Sequence, residues 1–213
     1  MAAGAAPRAA LAQAAPPNAI LPDEALRRIM DGNARYAAGN LANKDFSAGR
    51  AARAGAQYPI AAILSCADSR VSPELAFDQG PGELFVVRLA GNFVNEDALA
   101  SLEYGTRFLG VPLVMVLGHS NCGAVAASIK VAQENLSLPG HLPDLVNSIK
   151  PAVESAMRKG SADLLQEATA ENVRLNVKRL TEAQPILTEM VRQEKVRIVG
   201  GVYDIATGKV SLV

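Results

Sequence analysis

Ile60-Ala61-Ala62-Ile63-Leu64, running straight into Ser65-Cys66-Ala67-Asp68-Ser69-Arg70, is the stretch that decides the fold. A short apolar run without polar alternation marks a strand covered on both faces, as in a parallel sheet. Leu84–Val87, Leu113–Leu117 and Val196–Val199 repeat the pattern, and helical spacing fills the intervals at Asn95–Phe108, Gly123–Val131 and, with breaks, Leu142–Met190. Upstream, Pro22-Asp23-Glu24 opens a helix with acidic residues in its first turn, and Leu26, Ile29, Met30 and Tyr36 follow at helical spacing. Ala37–Ala56, rich in Ala, Gly and Asn, is a connector with weak helix. Alternating strands and helices predict an α/β fold: a central, mostly parallel β-sheet of four to five strands flanked by helices, with an N-terminal helical arm. The closing Val202–Val213 segment reads as a hairpin around Thr207-Gly208, which makes one edge strand antiparallel.

The chain of 213 residues is long enough for one domain with its own core, expected over residues 22–213. Lys+Arg and Asp+Glu number 21 each, so no basic surplus points to nucleic acid or an anionic membrane. No apolar run reaches the ~20 residues of a membrane-spanning helix. Residues 1–21 stand apart, Ala- and Pro-rich and free of acidic side chains before Asp23. They read as a flexible tail or as a signal-peptide remnant, since Ala10–Pro16 has the small-residue character of a secretory cleavage region. The second reading places the protein in the bacterial periplasm, the first leaves it cytoplasmic.

Two polar loops carry the chemistry. Cys66-Ala67-Asp68-Ser69-Arg70 follows the first strand, and His119-Ser120-Asn121-Cys122-Gly123-Ala124 follows the third. In open α/β sheets, ligands bind outside the carboxyl ends of the strands, where both loops fall. Three of the chain's four Cys and His residues lie in them. Two thiolates and an imidazole suit Zn²⁺, and three protein ligands rather than four mark a catalytic zinc with an open position. Two alternatives stand beside this: buried Cys and His as ordinary core residues, and a Cys66–Cys122 disulfide. Neither gives Asp68 and Arg70 a role at their spacing, so the combination favours zinc.

Cys-Ala-Asp-Ser-Arg followed by Gly-His-Ser-Asn-Cys-Gly-Ala resembles the paired signature of the β-class carbonic anhydrases. The likeness continues through Pro81–Arg88, Glu103-Tyr104 and Gly201–Asp204 and covers roughly residues 24 to 205. It implies a zinc lyase that hydrates CO2 reversibly to bicarbonate and a proton, working as a homodimer or higher even homo-oligomer. Cys66, His119 and Cys122 would bind Zn²⁺, which acidifies a bound water until hydroxide is available near neutral pH. Asp68 would accept a hydrogen bond from that hydroxide, Arg70 would keep Asp68 ionised, and Asp68 is also a possible fourth ligand in a closed state. Gln57 is similar to a glutamine that binds a substrate oxygen, and Phe85 and Tyr104 correspond to apolar pocket walls. Without the resemblance, Gln57 reads as a solvated loop residue and the two aromatics as core. The N–H of Gly123, at an expected helix start, could stabilise an oxyanion. In the family the glutamine and some wall residues reach the site from the neighbouring subunit, and helices like Asp23–Tyr36 embrace the neighbour.

One departure stands out. Some bacterial members hold a second, inhibitory bicarbonate site built on a Trp three residues before the first zinc Cys. This chain has Ile63 there and no Trp, although Arg88 matches another element of that site. The likeness is therefore to the plant-type subgroup. His141, the remaining histidine, reads as a surface residue. Two alternative functions remain on the same fold: hydrolysis of carbon disulfide or carbonyl sulfide, and a zinc-bearing structural protein without turnover.

Overall fold

Strands β1 (Ala61–Ser65) and β3 (Leu113–His119) are buried at every residue, and the period of two explains how. Ala61, Ile63, Leu113, Met115 and Leu117 pack with Ala25, Ile29 and Phe77 on one face. Ala62, Leu64, Val114 and Val116 pack with Leu102, Val173, Leu180 and Leu187 on the other. A strand with two covered faces has no use for polar alternation.

The computed structural model describes residues 15–42, 45–47 and 49–213. In chain order the elements are α1 (Pro22–Ala37), α2 (Arg50–Arg53), β1, α3 (Pro73–Ala76), β2 (Leu84–Arg88), α4 (Glu96–Leu109), β3, α5 (Gly123–Glu134), α6 (Leu142–Lys159), α7 (Leu164–Thr181), α8 (Ile186–Arg192), β4 (Arg197–Tyr203) and β5 (Val210–Leu212). The sheet order is β2-β1-β3-β4-β5. The first four strands are parallel, and β5 pairs antiparallel with β4 through the expected hairpin. There Gly208 takes φ +72°, a left-handed conformation that suits glycine.

The helical stretch expected across Leu142–Met190 with breaks is α6, α7 and α8, the breaks falling at Gly160 and before Ile186. The short α3 was not expected. The expected tail lies outside the described residues as far as residue 14. Its last part is tied down, because buried Asn18 donates to the carbonyls of Pro59 at 3.1 Å and Leu109 at 2.7 Å.

Helix α1 sets Ala25 and Ile29 into the core and is locked there by one small and one polar residue, Gly32 and Asn33. A Cβ on Gly32 would sit 1.9 Å from the Phe77 carbonyl oxygen, so only glycine allows this approach. Asn33, 4% exposed, donates to Ala76 O at 2.9 Å and Gly208 O at 2.8 Å and accepts from Val210 N–H at 2.8 Å. Asn33→Ala would leave these buried backbone groups unpaired, at a cost of about 2–4 kcal/mol. Thermal unfolding of the variant should fall by roughly 5–15 °C; a shift under about 2 °C would show the anchor to be dispensable.

The strand order sets the position of the site. The chain leaves β1 for the outer β2, then crosses back to β3 on the other side of β1. The carboxyl ends of β1 and β3 flank the crevice where the winding reverses, which is where open α/β sheets bind ligands.

Candidate metal centre

Each prospective ligand is fixed by an element end at this crevice. Cys66 is the first residue after β1, His119 the last of β3, and Cys122 the N-cap of α5. Asn121 takes φ +55°, which lets the two-residue link between His119 and Cys122 turn back sharply. The two Sγ atoms and a His119 ring nitrogen all lie within 4.8 Å of one another. All three side chains are buried, and both cysteines are free thiols, so the disulfide alternative is not realised.

The donor set fits a soft divalent cation. His119 Nδ1 lies 2.9 Å from the Ser120 carbonyl, to which it donates. Its Nε2 is buried without a hydrogen-bond partner among the described residues. A buried imidazole nitrogen left without a partner beside two sulfurs is costly unless a cation takes its lone pair. The thiols agree. The adjacent Cys122 thiol, with the nearby His119 ring and the Gly91 N–H at 3.2 Å, holds Cys66 down to about 4 against the effect of burial. Cys122 is pushed up by the neighbouring Cys66 and by burial, although the first N–H groups of α5 oppose the rise. Burial disfavours the charged form of His119, but the Cys66 thiolate outweighs it and raises the imidazole. One thiolate forms readily here and the second does so only when a cation offsets the first.

Beside the ligands lies a charged pair. Arg70 donates to Asp68 from its backbone N–H at 2.9 Å, from Nε at 2.9 Å and from Nη2 at 2.7 Å. These bonds hold the Asp68 carboxyl well below the usual carboxylate range, against the small penalty of burial. Asp68 Oδ2 is 3.9 Å from His119 Nε2, so an ionised acceptor faces the place where a cation would sit. Arg70 Nη2 also reaches the Asn121 carbonyl at 3.4 Å and so ties the two loops together.

The other expected residues divide. Gly123 starts α5, and a Cβ there would meet nothing within 4 Å, so open space lies in front of it. Gln57 is exposed and lines a cavity of about 630 Å³ with Arg53, Tyr58 and Glu83, away from the three metal residues. Phe85 lies three residues before the end of β2, some 10 Å along the strand from Arg88. It packs against Tyr104 (centroids 6.4 Å), which packs against Phe108 (5.6 Å). Tyr104 is 50% and Phe108 73% exposed, so Tyr104 is not the core residue that its spacing alone suggested. His141 is exposed, as expected.

Two contributors escaped the sequence reading. Gly91 supplies the N–H to Cys66 Sγ at φ +84°, and a Cβ there would lie 2.5 Å from Ile149 Cδ1. Ser120 braces the second loop, its Oγ accepting from Ile205 N–H at 3.0 Å and its N–H donating to Tyr203 O at 2.9 Å. A Gly-Asn pair shortly after a strand was the available signal for the first; nothing local signals the second.

Comparison with known proteins agrees with this geometry. A family model described as carbonic anhydrase matches residues 61–210. A carbonic anhydrase of Mycolicibacterium smegmatis is 36% identical over 192 residues, covering 90% of this chain and 93% of its own. Carbonic anhydrase 2 of Mycobacterium tuberculosis is 35% identical over 192 residues, covering 90% and 92%. Among solved structures, the β-carbonic anhydrase CcaA superimposes with a TM-score of 0.71 at 26% identity, over 89% of this chain and 92% of that one. The Coccomyxa β-carbonic anhydrase in complex with acetazolamide gives 0.69 at 28%, over 89% and 83%. One of two tetrameric enzymes from Sordaria macrospora gives 0.70 at 23%, over 76% and 84%, a likeness of fold. With its three metal-binding side chains and the Asp68–Arg70 pair in place, the chain belongs to the β-class carbonic anhydrases.

Proposed function

We propose that this protein hydrates CO2 reversibly to bicarbonate at the Cys66, His119 and Cys122 centre, as a homodimer or higher even oligomer. The observation that carries the reading is the unpartnered His119 Nε2, set beside two free thiols and faced by the ionised Asp68. Zn²⁺, when bound, supplies a Lewis acid that lowers the pKa of a coordinated water. The remaining work falls to the protein's own groups. Asp68 Oδ2 accepts a hydrogen bond from a water at the centre and so aims its lone pair at the carbon of CO2. Arg70 keeps that carboxylate ionised and turned toward the site. The N–H groups at the start of α5, from Gly123 onward, favour the negative charge that develops on the product oxygens.

Within one chain, Gln57, Phe85 and Tyr104 are distant from this chemistry. The exposed aromatic surface along the β2 edge supports a subunit interface there. Across it the partner subunit's Gln57 and aromatic residues would complete the pocket. Export to the periplasm is proposed on the composition of the first twenty residues, and cell fractionation of the full-length gene product tests it.

Stopped-flow CO2 hydration with a pH indicator, run beside carbonyl sulfide and with sedimentation of the same sample, tests the function. Hydration by an even oligomer holding one zinc per chain is expected. Turnover of carbonyl sulfide alone would make the protein a hydrolase, and full activity as a monomer would remove the shared pocket.

A further inference from the structure

Arg88 ends β2 at the free edge of the sheet, and its guanidinium turns onto the loop leaving β1. In register it stands beside Ser65, one residue before the first metal ligand. Its Nε donates to the Cys66 carbonyl at 3.0 Å and its Nη2 to the Asp68 carbonyl at 2.7 Å. The β1–β2 ladder runs on only briefly, with Leu89 N–H on Ser65 O at 3.0 Å and Ala67 N–H on Leu89 O at 3.2 Å. Beyond Ala67, the Arg88 fork and the turn that Val71 N–H closes on Asp68 O at 3.0 Å hold the backbone.

One guanidinium therefore fixes two carbonyls two residues apart from two different nitrogens, a rigid planar fork that an ammonium, with all its donors on one flexible nitrogen, does not reproduce. Because each peptide unit is planar, pinning its carbonyl restricts the torsions on either side. The two bonds bracket Ala67 and set the direction in which the Asp68 side chain leaves the backbone. We propose that Arg88 is a positioning residue for CO2 hydration. Through the carbonyls of Cys66 and Asp68 it holds the Asp68 carboxylate in its Arg70-paired orientation, with no contact of its own to the reacting atoms. The chain spends the guanidinium on its own backbone, which gives this arginine a role that needs no bound anion.

The inference rests on the CO2-hydrating reading, and its test separates the two. A wild-type protein without hydration activity would remove that reading. The clamp is judged on Arg88→Ala and Arg88→Lys, both zinc-loaded. Arg88→Ala should lose about 10–100-fold in kcat, as outer-shell partners of metal sites do, with KM changed by less than about threefold. Zinc content should stay at the wild-type level. Amide hydrogen exchange should quicken at Ala67, Arg70 and Val71 and stay unchanged along β3. Arg88→Lys, whose three N–H bonds radiate from one nitrogen on a flexible stem and so span the two carbonyls poorly, should fall between. An Arg88→Ala kcat within about twofold of wild type would overturn the clamp. So would a loss that tracks zinc content or comes with faster exchange throughout the sheet. If Arg88→Ala fails to fold, Arg88→Lys decides: lowered kcat with faster exchange confined to residues 67–71 supports the clamp, and wild-type kcat or exchange there overturns it.

Discussion

Cys66→Ala should abolish zinc binding and CO2 hydration together. The substitution removes one of only three protein ligands from a site that joins the ends of β1 and β3 to the start of α5. Loss of a mere outer-shell partner costs 10–100-fold in metal affinity or activity, so loss of the ligand should exceed about 100-fold in affinity. Hydration should then drop to the uncatalysed rate. The two remaining donors also change character. Without the Cys66 thiolate, His119 loses the neighbour that raised it, and Cys122 loses the one that pushed it up. In the wild type, Cys122 holds its proton beside the Cys66 thiolate, and binding zinc must release it. Acidification should weaken zinc binding, and calorimetry in buffers of different ionisation enthalpy should record proton release that the variant lacks. Metal analysis is the first check. Full zinc occupancy in Cys66→Ala would show that the metal lies elsewhere.

The parts of this fold legible in the sequence were those whose environment is uniform along the chain. Ile60–Leu64 and Leu113–Leu117 could be read as strands because both their faces meet apolar neighbours. The metal loops were legible because their residue types are rare here and each follows such a strand directly. Over Leu142–Met190 the helices and the existence of breaks were legible, but not where the breaks fall, because periodicity does not register where one helix stops. Tyr104 misleads for a related reason. Helix α4 turns Ala98, Leu102, Gly105 and Thr106 inward, and Tyr104, at helical spacing from Phe108, belongs to the opposite face. Arg88 and Gly91 act on Cys66 from 22 and 25 residues away, through contacts that only the pairing of β1 with β2 creates. No local pattern encodes such contacts.

Hydration should quicken as pH rises, and Arg70→Ala should slow it by about 10–100-fold near neutral pH. The first expectation follows from charge. Two thiolates offset the double charge of Zn²⁺, whereas a three-histidine zinc keeps it and brings bound water to a pKa of ~7. A centre with thiolate ligands draws hydroxide less strongly, so the active protonation state is reached on the alkaline side. Asp68 does not supply that limb. Its carboxyl is depressed by Arg70, so its folded value lies below the unfolded one. The stability it contributes is present above the unfolded value of ~3.9 and fades only as pH falls through the folded value. It is ionised throughout the range in which activity should change. Arg70→Ala removes the Nε and Nη2 donors and leaves only the backbone N–H on Oδ1. Asp68 then titrates closer to an ordinary carboxylate, and its oxygen, already 3.9 Å from His119 Nε2, is free to turn onto the metal. A carboxylate there competes with hydroxide for one position, so the variant's deficit should shrink as pH climbs and hydroxide gains. The visible spectrum of the cobalt-substituted variant, compared with that of the wild type at one pH, should record the change of ligand. A wild-type profile flat from acidic to alkaline pH would refute the charge argument. An Arg70→Ala variant with unchanged rate and spectrum would show that Asp68 keeps its place without its partner.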